Sequence, residues 1–444
     1  MKALFLCGGV GKRMFPFTED KFLLRFLGKS LLEHQIAGAV TAGMSRQVVV
    51  ANPQNAEKVA QITRSISGAE IELAVQEKPL GIANALESAE HLLTEEVIVV
   101  NPNDIFESSA YAGLLQEHKK DSALSYLVGY EVKEYFPGGY LVVDSTNGLR
   151  QIVEKPAVGE EPSNMVNILV HLHTSINKLL QEVQNVQTLR DDVYECALDA
   201  MARNGQRIKV VPYRDFWAAI KYPWHILAAA KYFLDRSEPQ ISPSAQISPR
   251  ATISGKVIIS DNVRVLENAV IRGPAYIGSS SIIGNNALVR DYSHIGADCV
   301  VGYSTEVKGS YIGDGCWFHS SYVGDSIIAD GCSFAAGTVL ANFRLDEKNI
   351  SVRVGDEVVD TGLDKLGAII GSNSKTGIHA GIMPGVRVGP NSFVGPHVCL
   401  ISDLQPNKMV LPELRSRVLN KEDELDERKK SELMKKLDGL QCAE

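Results

Sequence analysis

The sequence predicts an α/β domain followed by a parallel β-helix, and two observations predict it. In the first half, short apolar or β-branched runs alternate with helical stretches. In the second half, reading every sixth residue from Ile241 gives Ile247, Ile253, Ile259, Val265, Ile271, Ile277, Ile283, Val289, Ile295, Val301 and Val307. At a generous half chance of an apolar residue per position, twelve such hits in a row are about a one-in-4,000 event. Ordinary strands or helices do not hold a six-residue period, whereas in a β-helix six residues form one side of a coil and the aliphatic residue points inward.

The first half is justified element by element. "KALFLC", "QVVVAN", "VIVVNPND" and "ALSYLVGY" read as strands, with helical stretches such as Ser30–Ala42 and Gly81–Leu93 between them. That alternation predicts a parallel-sheet domain with ligands at the carboxyl ends of its strands. The domain is expected over residues 1–228, with a helical linker over 229–240. The β-helix is expected over 241–404. Its phase slips near Tyr311 and returns through Phe334 and Leu340, then resumes from Ile370 at Thr376, Ile382, Val388, Val394 and Leu400. The break at 341–367 reads as a loop thrown outward, a common way to build a site. Residues 405–444 read as a charged helical tail with a solvated face.

Bulk composition narrows the function. The 444 residues carry 45% hydrophobic and 22% charged side chains and a net charge of -8. These are globular values, with no electrostatic drive toward nucleic acid or an anionic membrane. No apolar run reaches membrane-spanning length, and "MKALFLCGG" runs straight into a glycine loop without a signal-peptide pattern. Seven scattered cysteines without a C-x-x-C pair predict buried or incidental thiols in a reducing cytoplasm. His171 and His173 share one face of a strand; without a third ligand nearby in sequence, packing or substrate contact is expected of them rather than metal.

Two constellations carry chemistry. In the first, a strand runs into Gly8, Gly9 and Gly11, where backbone N–H groups can approach phosphate oxygens with no Cβ in the way. Lys12, Arg13 and Lys21 follow as cations, and Asp104 closes "VIVVNPND" as a carboxylate suited to Mg²⁺ beside phosphates. In the second, "CWFHSSYVGD" places His319 and Tyr322 next to the phase slip, in company with Arg290, Lys308, Asn342 and Lys348. One imidazole among phosphate-binding cations suits acyl transfer to an amine: the cations hold a sugar phosphate while the imidazole removes a proton.

These motifs, in this order, resemble two families. Gly9, Gly11, Arg13 and Lys21, "QEKPLGIANAL" with Gln76 and Gly81, "GGYLVV…EKP" with Gly139 and Glu154, and "SNMVNILV" with Asn167 resemble the sugar-1-phosphate nucleotidylyltransferases. The resemblance covers about residues 1–230. It implies a Rossmann-like domain in which a sugar phosphate attacks the α-phosphorus of a nucleoside triphosphate, Arg13 and Lys21 offset charge, and Asp104 binds Mg²⁺. The sequence departs from the pattern at Lys12, Asp20, Ile82, Lys221 and above all Ala219, where "FWAAIKYPWHIL" lacks the second metal-binding carboxylate. The second half resembles the left-handed β-helix acyltransferases of the hexapeptide-repeat family, most closely the acetyltransferase half of bifunctional glucosamine-1-phosphate acetyltransferases/N-acetylglucosamine-1-phosphate uridylyltransferases of archaeal type. That resemblance implies His319 as general base, with Arg290 and Lys308 on the acceptor phosphate. It implies Tyr322, Asn342 and Lys348 on the acceptor sugar or its phosphate, Ala336 beside the acetyl-CoA groove, and a homotrimer with active sites between subunits. Ser333 stands where an asparagine is usual. The expected protein is therefore a cytoplasmic N-acetyltransferase of an amino-sugar 1-phosphate, using acetyl-CoA, fused to a nucleotidylyltransferase-like domain that lacks one metal ligand. The alternatives are a fully bifunctional enzyme that also makes UDP-N-acetylglucosamine or a related nucleotide sugar, and a regulatory or scaffold trimer that binds sugar nucleotide without catalysis.

Overall fold

The computed structural model describes residues 1–9, 11, 13–93, 96–188, 192–413, 415–419 and 427–441. Lys12 lies outside the described residues. Residues Met1–Val410 form one compact unit and Leu411–Glu444 a second.

At the centre of the amino-terminal sheet, Lys2–Leu6 runs parallel to Arg46–Ala51 on one side and to Val97–Val100 on the other. Their side chains are buried on both faces, which explains the uninterrupted apolar runs. The helix Leu31–Thr41 starts on a capping box. Glu33 N–H donates to the Ser30 hydroxyl and the Glu33 carboxylate accepts from Ser30 N–H, so two otherwise orphaned donors are satisfied. The expectation of an all-parallel sheet needs correction: Met165–His173 runs antiparallel to Val97–Val100 and to Ser125–Glu131, and Gly139–Val143 pairs antiparallel with Leu149–Glu154. From Ser125 to His173 no helix separates the strands. The link from Val143 to Leu149 is too short for the crossover of a dozen or more residues that a parallel return needs, so that pair can only be antiparallel.

The second half is a left-handed β-helix of three parallel sheets with eight, nine and eight strands. The 18-residue coil is visible in the register Ile241↔Ile259↔Ile277↔Ile295. Its interior is a column of mostly Ile, Val and Leu, with the stacked rings of Phe318 and Phe334 and the thiols of Cys299, Cys316 and Cys332 among them. The phase slip has a simple cause. Register pairs Ile295↔Ile312 and Val307↔Val323 show coils of 17 and 16 residues, so sides shorten from six residues to five without leaving the helix. The shortened sides include 319–323 and 324–328, which carry His319, Tyr322 and Asp325. The last coil strand is Met409–Val410.

The excursion is not thrown outward as a free loop. Its strands Ser351–Val354 and Glu357–Asp360 form an antiparallel hairpin. Ile350, Val352 and Leu366 join a core shared with Phe26, Trp224, Ile226, Tyr311 and Ile327. The helix His225–Arg236 crosses residue 228 and buries Ile226, Ala229, Ala230 and Tyr232 in that same seam, so it works as a wedge between the halves. Polar contacts lock the seam: Arg25 pairs with Asp314 at 2.8 Å, Leu27 N–H donates to His294, and Tyr311 O–H donates to the Arg25 carbonyl. His294 is stacked between Tyr276 and Tyr311. Among the described residues of the second unit, the one helix is Glu427–Gln441, and its described side chains are exposed.

Candidate functional sites

In the amino-terminal half, Gly8, Gly9, Gln76, Gly81, Ile82, Asn101 and Asn103 line a cavity of about 390 Å³ at the carboxyl ends of the central strands. A Cβ on Gly8 would stand 2.0 Å from Gln76 Oε1, so any side chain there would displace the Gln76 amide. Gln76 is buried, and its amide donates to Gly81 O and Asn84 Oδ1. Gly81 opens the helix Gly81–Ala89 with φ +83°, a left-handed conformation that glycine adopts without a side-chain clash. Gly9 and Gly11 lie beside a smaller cavity with Lys21 and Asn103, while Arg13 is exposed.

Gly139, Glu154 and Asn167 meet across neighbouring strands: a Cβ on Gly139 would lie 2.9 Å from Glu154 Oε2 and 3.6 Å from Asn167 Cβ. A buried hydrogen-bond chain stands behind Asn167. Ser125 Oγ meets His173 Nδ1, His173 Nε2 and His171 Nδ1 both meet the Tyr194 hydroxyl, and His171 Nε2 meets Asn167 Oδ1; with each Nδ1 as the acceptor, the donors run in one direction from Ser125 to Asn167. The two links that end on an Nδ1 acceptor need neutral imidazoles. Burial supplies them, pushing His173 down to about 3 and His171 well below its ordinary value. The two histidines are therefore packing residues that orient a site amide.

The candidate metal position is built from two short strands, Asp104–Phe106 and Trp217–Ala219, paired so that Ala219 stands opposite Asp104. Asp104 accepts from the Trp217 indole at 3.2 Å and from Asn101 Nδ2 at 3.3 Å. Burial pushes its carboxyl up to about 6, opposed by the Trp217 bond and by Lys221 and Lys21. Lys221 is anchored by Pro137 O at 2.7 Å, and its ammonium lies 3.3 Å from the centre of the Phe136 ring. Among the described residues, no group of three or more His, Cys, Asp or Glu comes together in a way that could hold a metal ion. With a methyl group facing the single carboxylate, and a lysine in electrostatic contact with it, these residues do not fit a divalent cation.

In the β-helix, Arg290 and Lys308 occupy matched positions on successive coils of one sheet, and Leu288, Glu306 and Tyr322 form the neighbouring row. The two cations do not stand free. Arg290 pairs with Glu306 and Asp291, and Lys308 with Asp325 at 2.8 Å. Asp325 also accepts from Asn342 Nδ2 at 2.5 Å, and Tyr322 O–H reaches Asn342 Oδ1 at 3.5 Å. Asp325 thus ties Lys308, Asn342 and Tyr322 together from a corner residue at φ +43°. His319, three residues before Tyr322, is exposed, and its ring makes no hydrogen bond to the described residues. Ala336 is an exposed corner residue of a following coil. Lys348 is exposed on the excursion, and its side chain meets none of this cluster. Glu306 and Asp325 were not singled out from sequence. The available signal was their spacing: they lie 16 and 17 residues from Arg290 and Lys308, one coil further on.

Residues 2–220 match the nucleotidyl transferase family, and residues 367–402 match the bacterial transferase hexapeptide (six repeats) family. The chain is 34% identical over 433 residues to the bifunctional protein GlmU of Methanococcus maripaludis (strain C7), covering 92% of this chain and 97% of that one. It is 32% identical over 415 residues to the bifunctional sugar-1-phosphate nucleotidylyltransferase/acetyltransferase of Sulfurisphaera tokodaii, covering 91% and 98%. It is also 32% identical over 434 residues to the bifunctional protein GlmU of Methanocaldococcus jannaschii, covering 92% and 97%. No helix among the described residues is long and apolar enough to cross a membrane. Similarity that runs through both halves, over the same two-part architecture, places this chain in the family of bifunctional sugar-1-phosphate nucleotidylyltransferases/acetyltransferases.

Proposed function

We propose that the protein is an N-acetyltransferase that moves the acetyl group of acetyl-CoA to the amine of an amino-sugar 1-phosphate of the glucosamine-1-phosphate class. The observation that carries this reading is the Arg290, Lys308, Tyr322 and Asn342 cluster, held by Asp325 and Glu306, beside a corner that exposes His319. His319 takes a proton from the acceptor nitrogen as that nitrogen attacks the thioester carbonyl carbon. The C–S bond then breaks, and CoA leaves as a thiolate that acquires a proton. Arg290 and Lys308 hold the acceptor phosphate, while Tyr322 and Asn342 hold the sugar. Ala336 borders the acetyl-CoA groove. Lys348 acts from outside its own subunit's cluster, reaching a neighbouring site in a homotrimer. Acetyl-CoA and a sugar phosphate as substrates place the activity in the cytoplasm.

The amino-terminal half contributes nucleotide and sugar contacts through Gly8, Gly9, Gly11, Gln76, Gly81, Gly139, Glu154 and Asn167, with Arg13 and Lys21 at the phosphates. Its transfer activity is impaired because Asp104 faces Ala219. The intact base-sized cavity favours one other reading, in which nucleotidyl transfer is kept and UDP-N-acetylglucosamine or a related nucleotide sugar is made. Two assays on the purified chain decide. CoA release from acetyl-CoA and glucosamine 1-phosphate, lost in His319→Ala, supports the acetyltransferase. Pyrophosphate release from UTP, N-acetylglucosamine 1-phosphate and Mg²⁺ supports the fully bifunctional reading. Silence in both, with a folded trimer that binds nucleotide sugar, leaves a regulatory or scaffold protein.

A further inference from the structure

We propose that the amino-terminal site binds a nucleoside diphosphate ester without a divalent cation, with the Lys221 ammonium supplying positive charge beside Asp104. This rests on the reading that the half has lost its metal site, and it adds a ligand class and a residue that replaces the metal's charge. The strand register makes the loss local: Ala219 stands across from Asp104, and two residues later the chain presents Lys221. The lysine is held on two sides, by the Pro137 carbonyl and by the face of Phe136, so its position is built rather than incidental. Those contacts leave N–H donors on the same ammonium for a phosphate oxygen.

Charge bookkeeping selects the ligand. Arg13 and Lys21 share this electrostatic neighbourhood with Lys221 and Asp104. Lys155 and Glu154 are paired at 2.7 Å and cancel. Arg13, Lys21 and Lys221 outnumber the carboxylates Asp104 and Asp20, so a net positive charge meets the two negative charges of a diphosphate diester. A free triphosphate carries about four negative charges and would need further neutralisation, the role a bound cation ordinarily fills. The cavity walled by Gly8, Gln76 and Gly81 is continuous in sequence with the cationic loop and supplies room for a base.

The test is calorimetric titration of the full-length protein with UDP-N-acetylglucosamine, in EDTA and then in Mg²⁺. The expected dissociation constants agree within about twofold. Lys221→Met keeps the apolar stem over Phe136 and is expected to weaken binding at least tenfold, with an unchanged circular-dichroism spectrum as the check on folding. Ala219→Asp restores the facing carboxylate and is expected to make binding at least fivefold tighter in Mg²⁺ than in EDTA. Binding by the unaltered chain that requires Mg²⁺, full affinity in Lys221→Met, or no binding at all would each overturn the proposal. Acetyl transfer, measured on the same preparation, reports separately on the β-helix site, so failure here is distinguishable from failure there.

Discussion

Acidification from pH 7 to pH 5 should destabilise the folded chain by an amount that its buried histidines set. An imidazole held neutral in the fold has a folded pKa below its unfolded value. Its contribution is therefore complete above about pH 6.5 and is lost as the pH falls toward the folded value. Burial holds His173 at about 3 and His294, in the seam, at about 4. At pH 5 each lies about 1.5 pH units below the unfolded value, which at about 1.4 kcal/mol per unit is about 2 kcal/mol apiece. Asp104 acts in the opposite sense. Its folded pKa of about 6 exceeds the unfolded one, so protonation between pH 7 and 5 returns about 1 kcal/mol. The net loss from these three groups is about 3 kcal/mol, and burial of His171 adds in the same direction. Urea unfolding at pH 7 and pH 5 measures it. His173→Gln, which cannot titrate, should shrink the difference by about 2 kcal/mol. Equal stability at the two pH values, or greater stability at pH 5, would refute the neutral hydrogen-bond chain from Ser125 to Asn167.

Three other outcomes follow from particular contacts. Asp325→Ala leaves Lys308, with a side chain only 17% exposed, without its carboxylate; stability should drop by about 2 kcal/mol, and the acceptor KM should rise more than kcat falls, as read from CoA release. Gly8→Ala drives a methyl group into Gln76, so titration with nucleotide sugar should show binding lost while acetyl transfer persists. Ile283→Ala opens a void in the fully buried β-helix column and should cost about 3 kcal/mol in urea unfolding.

How much was legible in the sequence differs by element, for physical reasons. The β-helix was readable from Ile241 to Val307 because each side of each coil must bury one aliphatic residue. Legibility lapsed between Val307 and Phe334, where sides shorten to five residues, since a fixed period cannot follow a corner that loses a residue. The central strands of the first half were readable as apolar runs and as parallel neighbours, but the reversed strands Leu149–Glu154 and Met165–His173 were not. Strand composition is nearly blind to the sense of pairing, and only the missing helices between Ser125 and His173 carried that information. Asp325 and Glu306 were hidden because an acidic residue on a coil surface looks solvated until the coil length places it beside Lys308 or Arg290. The seam was hidden for a related reason: Phe26, Trp224, Tyr311 and Ile350 are distant in sequence, and each alone reads as an ordinary core residue. The loss at Ala219 was legible, whereas the support for Lys221 from Phe136 and Pro137 needed the fold.

The most direct test of the account is a single acetyl-transfer experiment: CoA release from acetyl-CoA with glucosamine 1-phosphate as acceptor, compared between the unaltered chain and His319→Ala. The account predicts steady release by the unaltered chain and a fall of at least a hundredfold in the variant, the usual scale of a lost general base. Release that is unaffected by the substitution, or absent from both proteins, would contradict it.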